Sequence, residues 1–138
     1  MAKKLTITRA KKRLWTAFAA FIRARDKGVC ITCGRGGFQG SGYHAGHFIP
    51  SAACGVALRY HEQNVWGQCF NCNINLGGWG ERYAEVLEKR LGRRELQKLR
   101  RLRNKTTKWV IQDYLDKEAE YKEKIKTVDN STRNIKDI

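Results

Sequence analysis

Two Cys-x-x-Cys pairs are the most informative chemical feature of this 138-residue sequence. Cys30 and Cys33 form the first pair, and Cys69 and Cys72 form the second, with residues 34–68 between them. A pair at this spacing offers two thiolates from one tight turn, and two such turns complete the closed tetrahedral site of structural zinc. We therefore expect one structural Zn²⁺ bound by these four cysteines.

The fifth cysteine, Cys54, stands apart from both pairs. We expect it to be a small buried side chain rather than a ligand. No signal peptide precedes the cysteines, which favours a cytoplasmic protein in a reducing compartment, where paired cysteines bind metal more often than they form disulfides. A thioredoxin-like redox pair is disfavoured because there are two pairs and neither has a strand–helix context.

His47, Asn64 and Asn73 are the candidate catalytic residues near the cysteine pairs. His47 and Asn64 lie between the pairs, and Asn73 directly follows the second. Hydrolysis of a phosphodiester requires a base that deprotonates water and a divalent ion that stabilises the leaving oxygen. A neutral histidine can be that base, and an asparagine can orient its ring or bind the ion. A lone histidine is more often structural, but its place among these residues favours the catalytic interpretation.

The charge of the chain indicates a polyanionic partner. Its net charge is +15, from 28 Lys and Arg against 13 Asp and Glu. Residues 1–27 and residues 82–108 each carry a net charge of +8, whereas residues 28–80 carry +1. This distribution favours a polyanionic partner, with nucleic acid as the first candidate. No apolar run approaches the roughly 18 residues of a membrane span, so we expect no membrane partner.

One basic segment is the strongest candidate for contacts with DNA phosphates. Its candidate residues are Arg93, Arg94, Lys98, Arg100, Arg101 and Arg103.

The first predicted element is an N-terminal basic helix over residues 8–27. Leu14, Phe18 and Ile22 recur at helical spacing, with Thr8 as the expected N-cap and Gly28 as the stop. The simplest interpretation is a helix that packs on the core and exposes a basic face. The alternative adds phosphate contacts from that same face.

The metal-bearing segment is expected to contain a short hairpin. Tyr43–Ile49 is the first predicted strand, and a second passes through Val65 and Trp66 to Cys69. A helix after Cys72 would then place its first residues close to His47. The glycines of this segment favour tight turns over helix.

Helices are predicted for the rest of the chain. Trp79–Leu91 precedes a C-cap at Gly92, and Arg93–Arg103 follows. A last helix is expected to begin at Thr106 or Thr107. The fold class is therefore α+β in a single domain, 1–138. Its core is residues 28–92, its basic C-terminal helices are residues 93–126, and residues 127–138 are a polar, disordered tail.

The last predicted helix carries an aromatic stripe that includes Trp109, Tyr114 and Tyr121. Two interpretations are equally open. The stripe forms a homodimer, which would supply two opposed active sites, or it covers the N-terminal helix of the same chain.

Four motifs, taken in order, carry a family resemblance. They are Cys30-Ile31-Thr32-Cys33, Gly46-His47-Phe48-Ile49-Pro50, Asn64, and Cys69-Phe70-Asn71-Cys72-Asn73. They resemble those of the HNH (ββα-metal, His-Me finger) nucleases. Over roughly residues 18–126 the chain is similar to the phage lambda NinG (Rap) family of recombination endonucleases.

The resemblance implies a zinc-stapled ββα-metal core in a metal-dependent endonuclease. Its implied substrates are branched recombination intermediates, Holliday junctions or D-loops, in the cytoplasm of a phage-infected host cell. The alternative is a non-catalytic zinc-knuckle protein that binds DNA. The basic flanks fit both, and only His47, Asn64 and Asn73 discriminate between them.

The resemblance also implies roles for single residues. His47 matches the general base, Asn64 the asparagine that orients it, and Asn73 a ligand of the catalytic metal. Many HNH enzymes have an aspartate ligand where this chain has Gly46, and NinG-like sequences tend to have an acid at the position of His44.

His44 is therefore the second implied ligand of a catalytic Mg²⁺ or Mn²⁺. Its nitrogen suits Mn²⁺ better than Mg²⁺. In a regular strand His44 and His47 face opposite sides, so a bulge near Gly46 is expected if both serve one site.

Overall fold

The computed structural model describes residues 4–136, without the side chains of residue 53 and of residues 129–136. It is an α+β arrangement in which helices surround one two-stranded sheet. Its main elements are α1 (Ile7–Asp26), β1 (Tyr43–His47), α2 (Val56–Arg59), β2 (Val65–Cys69), α3 (Gly80–Leu91), α4 (Arg93–Arg101) and α5 (Ile111–Lys136). Short 3₁₀ turns occupy Gly40–Gly42, Ser51–Ala53 and Leu102–Asn104, and a π-helical turn, here called the knuckle turn, occupies Asn71–Asn75.

Helix α1 forms where the helical spacing of apolar residues predicted it. Leu14, Phe18 and Ile22 are all buried on its inner face. The expected N-cap at Thr8 is wrong. The cap is Thr6, whose extended backbone places its hydroxyl where it accepts a 3.2 Å hydrogen bond from the Arg9 amide.

The sheet is an antiparallel pair with an unbroken one-to-one register. Tyr43 pairs with Cys69 at one end, and His47 pairs with Val65 at the other. The first strand ends at His47 rather than at Ile49, because Asn64 takes over the hydrogen bonds that would continue the ladder. The regular ladder also contradicts the bulge expected near Gly46.

An ion pair at the end of α1 fixes the sheet to that helix. Arg25 and Asp26 are joined by a 2.7 Å contact. Asp26 Oδ2 accepts a 2.7 Å hydrogen bond from the Gly67 amide, and Arg25 donates to the Val65 carbonyl at 2.9 Å. Because these contacts use both charged partners, they hold β2 rigidly against the end of α1.

Helices α3 and α4 form a second apolar cluster. Gly92, with φ of +86°, separates them as predicted. Tyr83 and Leu87 from α3 are buried with Leu96 and Leu99 from α4. Helix α4 ends at Arg101 rather than at residue 103, and the chain continues as a 3₁₀ turn.

Helix α5 begins later and ends later than expected. Its first turn is held by Asp113, which accepts a 2.8 Å hydrogen bond from the Val110 amide, so Thr106 and Thr107 are not its cap. The tail predicted to be disordered from residue 127 is helical as far as Lys136, and residues 137–138 lie outside the described part. No Gly or Pro interrupts residues 127–136, and Val128 packs against the core.

The aromatic stripe of α5 covers α1 within the same chain. Tyr121 meets Phe18 edge to face at 4.8 Å between ring centroids, and Glu118 forms a 3.0 Å ion pair with Arg13. Tyr114 is also buried, and Trp109 packs against the same cluster. The stripe therefore packs on α1 within the chain, as the second interpretation predicted, and the homodimer stays a prediction.

Across residues 4–136, no helix combines the length and the apolar character needed to cross a bilayer.

Candidate metal centre and catalytic face

The two Cys-x-x-Cys turns converge on one point. The sulfur atoms of Cys30, Cys33, Cys69 and Cys72 all lie within 4.8 Å of one another. A tetrahedral zinc ion with Zn–S bonds of about 2.3 Å requires sulfurs about 3.8 Å apart. Cys33 Sγ and Cys69 Sγ are 4.0 Å apart. The four residues therefore fit a structural metal ion such as zinc, as the sequence predicted.

The protonation of these thiols also suits a metal site. Burial alone would raise the pKa of Cys30, but hydrogen bonds from the Cys33 amide and the Thr32 hydroxyl outweigh it and lower that pKa to about 6. Burial, together with the neighbouring Cys69 and Cys30 thiols, raises the pKa of Cys72 to about 12. A divalent ion bound to the four sulfurs would stabilise all of them as thiolates.

A buried hydrogen-bond chain leads from the cysteines to the sheet. Thr32 Oγ1 lies 3.3 Å from Cys30 Sγ and accepts a 3.1 Å hydrogen bond from Gln68 Nε2. The same amide nitrogen donates to the Gly78 carbonyl at 3.0 Å. Because a carbonyl can only accept, Gly78 fixes the orientation of the amide, and Gln68 Oε1 must point the other way.

Gln68 Oε1 points at the glycine on the neighbouring strand. It is the buried side-chain oxygen without a hydrogen-bond partner among the described residues. A Cβ atom at Gly46 would overlap it and would approach Asn73 Oδ1 to 3.1 Å. The lack of a side chain at position 46 thus leaves room for two amide oxygens. The sequence analysis did not identify Gln68, since its role depends on the strand register.

His44 and Asn73 lie together beside this glycine. His44 Nδ1 is 2.9 Å from Asn73 Nδ2, and His44 Nε2 is 2.9 Å from the Ser41 carbonyl. The carbonyl accepts, so Nε2 carries the proton and Nδ1 presents its lone pair to Asn73. The knuckle turn brings Asn73 to this position directly after the zinc ligand Cys72. Both implied ligands of the catalytic metal are therefore adjacent, with Gln68 beside them.

His47 lies on the opposite face of β1. Its ring stacks on Trp15 with 5.1 Å between centroids, and its Nε2 is 3.0 Å from the Arg59 carbonyl. By the same argument Nε2 carries the proton. Nδ1 has no hydrogen-bond partner within residues 4–136, so it is available as a base. Trp15, Arg59, Tyr60 and Ser51 line an open cleft of about 480 Å³ around His47.

The environment of His47 favours its neutral form. Burial lowers its pKa from the ordinary value of 6.5, the hydrogen bond to the Arg59 carbonyl opposes this in part, and the Arg59 charge adds to it. The ring is therefore unprotonated at neutral pH. This is the state that a general base requires.

Asn64 does not contact the His47 ring; it fixes the loop that holds it. Fully buried, Asn64 accepts a 2.8 Å hydrogen bond from the Ile49 amide and donates to the Ile49 and Leu58 carbonyls at 3.1 and 3.0 Å. Leu58 directly precedes Arg59, whose carbonyl binds the His47 ring. Asn64 thus orients His47 through the backbone rather than by direct contact.

The structure unites some predicted residues and separates others. The metal-ligand candidates His44 and Asn73 are in contact, whereas His47 and its loop lie across the sheet from Asn73. Successive residues of a strand face opposite sides, so the three-residue offset between His44 and His47 determines this separation.

The six basic residues of the predicted DNA-binding segment are all exposed. Five lie on α4, whose other face buries Leu96 and Leu99. The Arg100 guanidinium lies 5.7 Å from the Phe48 ring centroid, and Phe48 directly follows His47. The basic surface of α4 therefore adjoins the end of β1.

Comparison with known proteins gives one consistent result. A family model described as "Bacteriophage Lambda NinG protein" matches residues 2–131. Similar proteins include Protein ninG of Escherichia phage lambda, at 33% identity over 121 residues, which is 87% of this chain and 57% of that protein. Protein ninG of Escherichia phage 933W and of Salmonella phage P22 are each 31% identical over the same length, 58% of each relative.

The chain thus spans less than three fifths of the length of these curated relatives. No solved structure matches.

Proposed function

Because the chain belongs to the NinG family of bacteriophage lambda, we propose that it is a structure-selective DNA endonuclease with an HNH-like ββα core. Its proposed substrates are branched recombination intermediates, Holliday junctions and D-loops, in the cytoplasm of a phage-infected cell. The observation that carries this proposal is the contact between His44 and Asn73 beside the zinc-binding cysteines. A protein that only binds DNA would not need this pair of candidate metal ligands.

The donor set around Gly46 fits a divalent cation. Asn73 Oδ1 and the unpartnered Gln68 Oε1 lie beside the space next to Gly46, and His44 Nδ1 can join them when it exchanges its hydrogen bond from Asn73 Nδ2 for the cation. One nitrogen and two amide oxygens suit Mn²⁺ better than Mg²⁺, which prefers oxygen ligands throughout. A cation held there supplies Lewis-acid stabilisation of charge on the phosphate and the leaving oxygen.

His47 is the proposed general base. Its Nδ1 accepts a proton from a water molecule, and the resulting hydroxide oxygen forms a bond to phosphorus while the bond from phosphorus to the leaving oxygen breaks. The Arg59 carbonyl keeps the ring in the tautomer with Nδ1 free. Arg59 also lines the His47 cleft, where its guanidinium can contact the phosphate.

His47 and the proposed metal ligands lie on opposite faces of β1. A DNA strand bound along the edge of β1 is the arrangement in which both could act on one phosphodiester. Among the described strands β1 pairs only with β2, so no third strand pairs with its other edge, and His44 and His47 are its two half-buried residues. His44 and His47 are three residues apart, which is about 10 Å along a strand. A phosphodiester at that edge can approach both faces of the strand at once.

A second function is favoured by one observation. His47 and Asn73 do not share a face, whereas catalysis requires one phosphate to reach both. A zinc-knuckle protein that binds branched or double-stranded DNA without cleaving it explains the cysteines and the charge equally well.

Cleavage of a synthetic four-way junction separates the two functions. The purified zinc-loaded protein is incubated with the junction and Mg²⁺ or Mn²⁺, beside a linear duplex containing the same sequence. The endonuclease proposal expects nicks near the branch point, faster with Mn²⁺, and little cleavage of the duplex. Tight binding of the junction without cleavage in either metal would establish the binding function instead.

A further inference from the structure

A cleft beside the zinc-binding cysteines has the composition of a nucleotide site. It encloses about 700 Å³. We call it the knuckle cleft. Its lining includes four apolar side chains and two arginines, which are Phe38, Phe70, Leu76, Trp79, Arg35 and Arg82. Neither the zinc site nor the proposed chemistry uses these side chains.

The apolar side chains of the knuckle cleft are exposed to an unusual degree. Phe70 is 47% exposed, Leu76 46% and Trp79 39%. Two aromatic rings that face solvent within one cleft form a surface on which planar groups can stack.

The backbone holds Trp79 in this position against its conformational preference. Trp79 has a φ of +50°, a left-handed conformation that is unfavourable for a bulky residue. Its amide donates to the Leu76 carbonyl at 3.0 Å, and its carbonyl accepts from the Tyr83 amide at 2.9 Å. It occupies the N-cap of α3 but makes no side-chain capping bond. Strain of this kind, without a capping benefit, is typical of functional positions.

Two arginines of the knuckle cleft can bind a phosphate. Arg35 and Arg82 line it and no Asp or Glu does, although the thiolates of Cys33, Cys69 and Cys72, which also line it, would offset part of the positive charge. The Arg35 side chain makes no hydrogen bond within the described residues, whereas Arg82 bonds the Thr32 carbonyl and Glu85. The N-terminus of α3, left without a side-chain cap, adds partial positive charge at the same place.

The cleft is also continuous with the candidate catalytic residues. The ring of Phe70 meets that of His44 edge to face, with 5.8 Å between centroids. Phe70, which directly precedes the knuckle turn, and Asn71, its first residue, both line the cleft and lie just before Asn73 in the chain. A group bound in the cleft therefore lies next to the proposed metal ligands.

We propose that the knuckle cleft binds an unpaired nucleotide of branched or single-stranded DNA, with its base stacked on Trp79 and Phe70 and its phosphate on Arg35 and Arg82. This inference rests on the proposed function for the nature of the polymer. Any unpaired base can stack on an aromatic ring, whereas the bases of duplex DNA are paired inside the helix and cannot reach the cleft. The cleft thereby supplies selectivity for DNA structure rather than for sequence.

Binding of oligonucleotides by matched variants tests the proposal without reference to cleavage. The probe is a single-stranded oligonucleotide with one 2-aminopurine, compared with its duplex, in buffer free of added divalent cation and chelator. Trp79→Asn removes the indole and keeps a residue that tolerates the left-handed backbone. Val110→Asn is the control, because Val110 is 64% exposed outside the cleft. Zinc content and circular dichroism verify that each variant is folded.

The expected result is a selective loss of single-strand binding. Trp79→Asn and Phe70→Ala should each weaken it about 5- to 150-fold, the range for one stacked base, and abolish the 2-aminopurine quenching. Duplex affinity should be unchanged. Arg35→Gln should instead reduce the salt dependence of log K by about one unit per log unit of salt.

Unchanged single-strand affinity in both aromatic variants would overturn the proposal, and the cleft would then be a site for another occupant, such as a protein segment. The outcome separates this inference from the proposed function. A protein that loses single-strand binding in these variants, yet never cleaves a junction, supports the cleft and contradicts the endonuclease.

Discussion

The Arg59 carbonyl accepts a 3.0 Å hydrogen bond from His47 Nε2, and this contact fixes which nitrogen of the ring can act as a base. Since Nε2 keeps its proton, Nδ1 carries the lone pair. Burial lowers the pKa of the same ring below 6.5. These two facts together determine the pH dependence that the proposed activity should have.

Junction cleavage should lose activity only on the acidic side of pH 6.5. A lowered pKa means that His47 releases its proton at a lower pH, so the base form already predominates at pH 7, and kcat/KM should be flat above that value. The pH profile of kcat/KM at fixed metal concentration checks this. His61→Ala is the control and should leave the profile unchanged. An acidic limb centred above pH 6.5 would exclude His47 as the titrating base.

The zinc site should be required for folding. Cys69→Ser removes one of four thiolates whose metal contributes free energy of folding directly, so we expect unfolded or insoluble protein without stoichiometric zinc. Cys54→Ser is the matched control: Cys54 is buried but lies outside the cluster, so its variant should retain about one zinc per chain. Elemental analysis and circular dichroism measure both. A folded, zinc-free Cys69→Ser protein would refute the structural role.

Position 46 should tolerate no side chain if the adjacent donors bind a divalent cation. In Gly46→Ala the added methyl overlaps Gln68 Oε1 and crowds Asn73. We expect Mn²⁺ affinity, measured by electron paramagnetic resonance, to fall about 10- to 100-fold, as for other disturbed metal surroundings. In Gly42→Ala the methyl meets nothing within 4 Å, so binding should persist. Equal Mn²⁺ affinity in both variants would mean that the cation binds elsewhere.

Some of this architecture follows from sequence, and the reasons differ among residues. The cysteine cluster was predictable because the Cys-x-x-Cys spacing itself places two sulfurs in one turn. Helix α1 was predictable because Phe18 and Ile22 repeat with its period. The continuation of α5 beyond Thr127 was not, since Val128 packs against a core cluster that the local pattern does not reveal.

Which residues lie on each face of β1 could be determined only once the strand register was known. Spacing alone cannot determine whether a bulge lies between His44 and His47, and the regular ladder places them on opposite faces. For the same reason no role could be assigned to Gln68 from the sequence, because its amide acquires one only once it pairs opposite His44. The sequence predicts a helix from Trp79, whereas the helix begins at Gly80. The positive φ of Trp79 and its exposure in a cleft depend on the turn before α3.

DNA affinity should depend on the arginines of α4 and the turn after it. Reversing Arg100, Arg101 and Arg103 to glutamate should weaken binding to all sequences alike and lower the salt slope by about two to three units, through lost counterion release. The matched reversal changes Lys117, Lys122 and Lys126, which pair with acids on α5, and should affect binding much less. Fluorescence anisotropy between 50 and 200 mM salt measures both. An equal loss in the two triple variants would assign binding to net charge alone.

The most direct test of the endonuclease proposal is the single-turnover rate of junction cleavage by His47→Ala. The variant should bind a four-way junction as tightly as the parent and retain its zinc, because His47 contacts neither the cysteine cluster nor the basic surface of α4. Its cleavage rate should fall at least about 10²-fold, the lower end for loss of a positioned base. A variant that cleaves at the parental rate would contradict this account and place the base at another residue, with His44 and His61 the next to be changed.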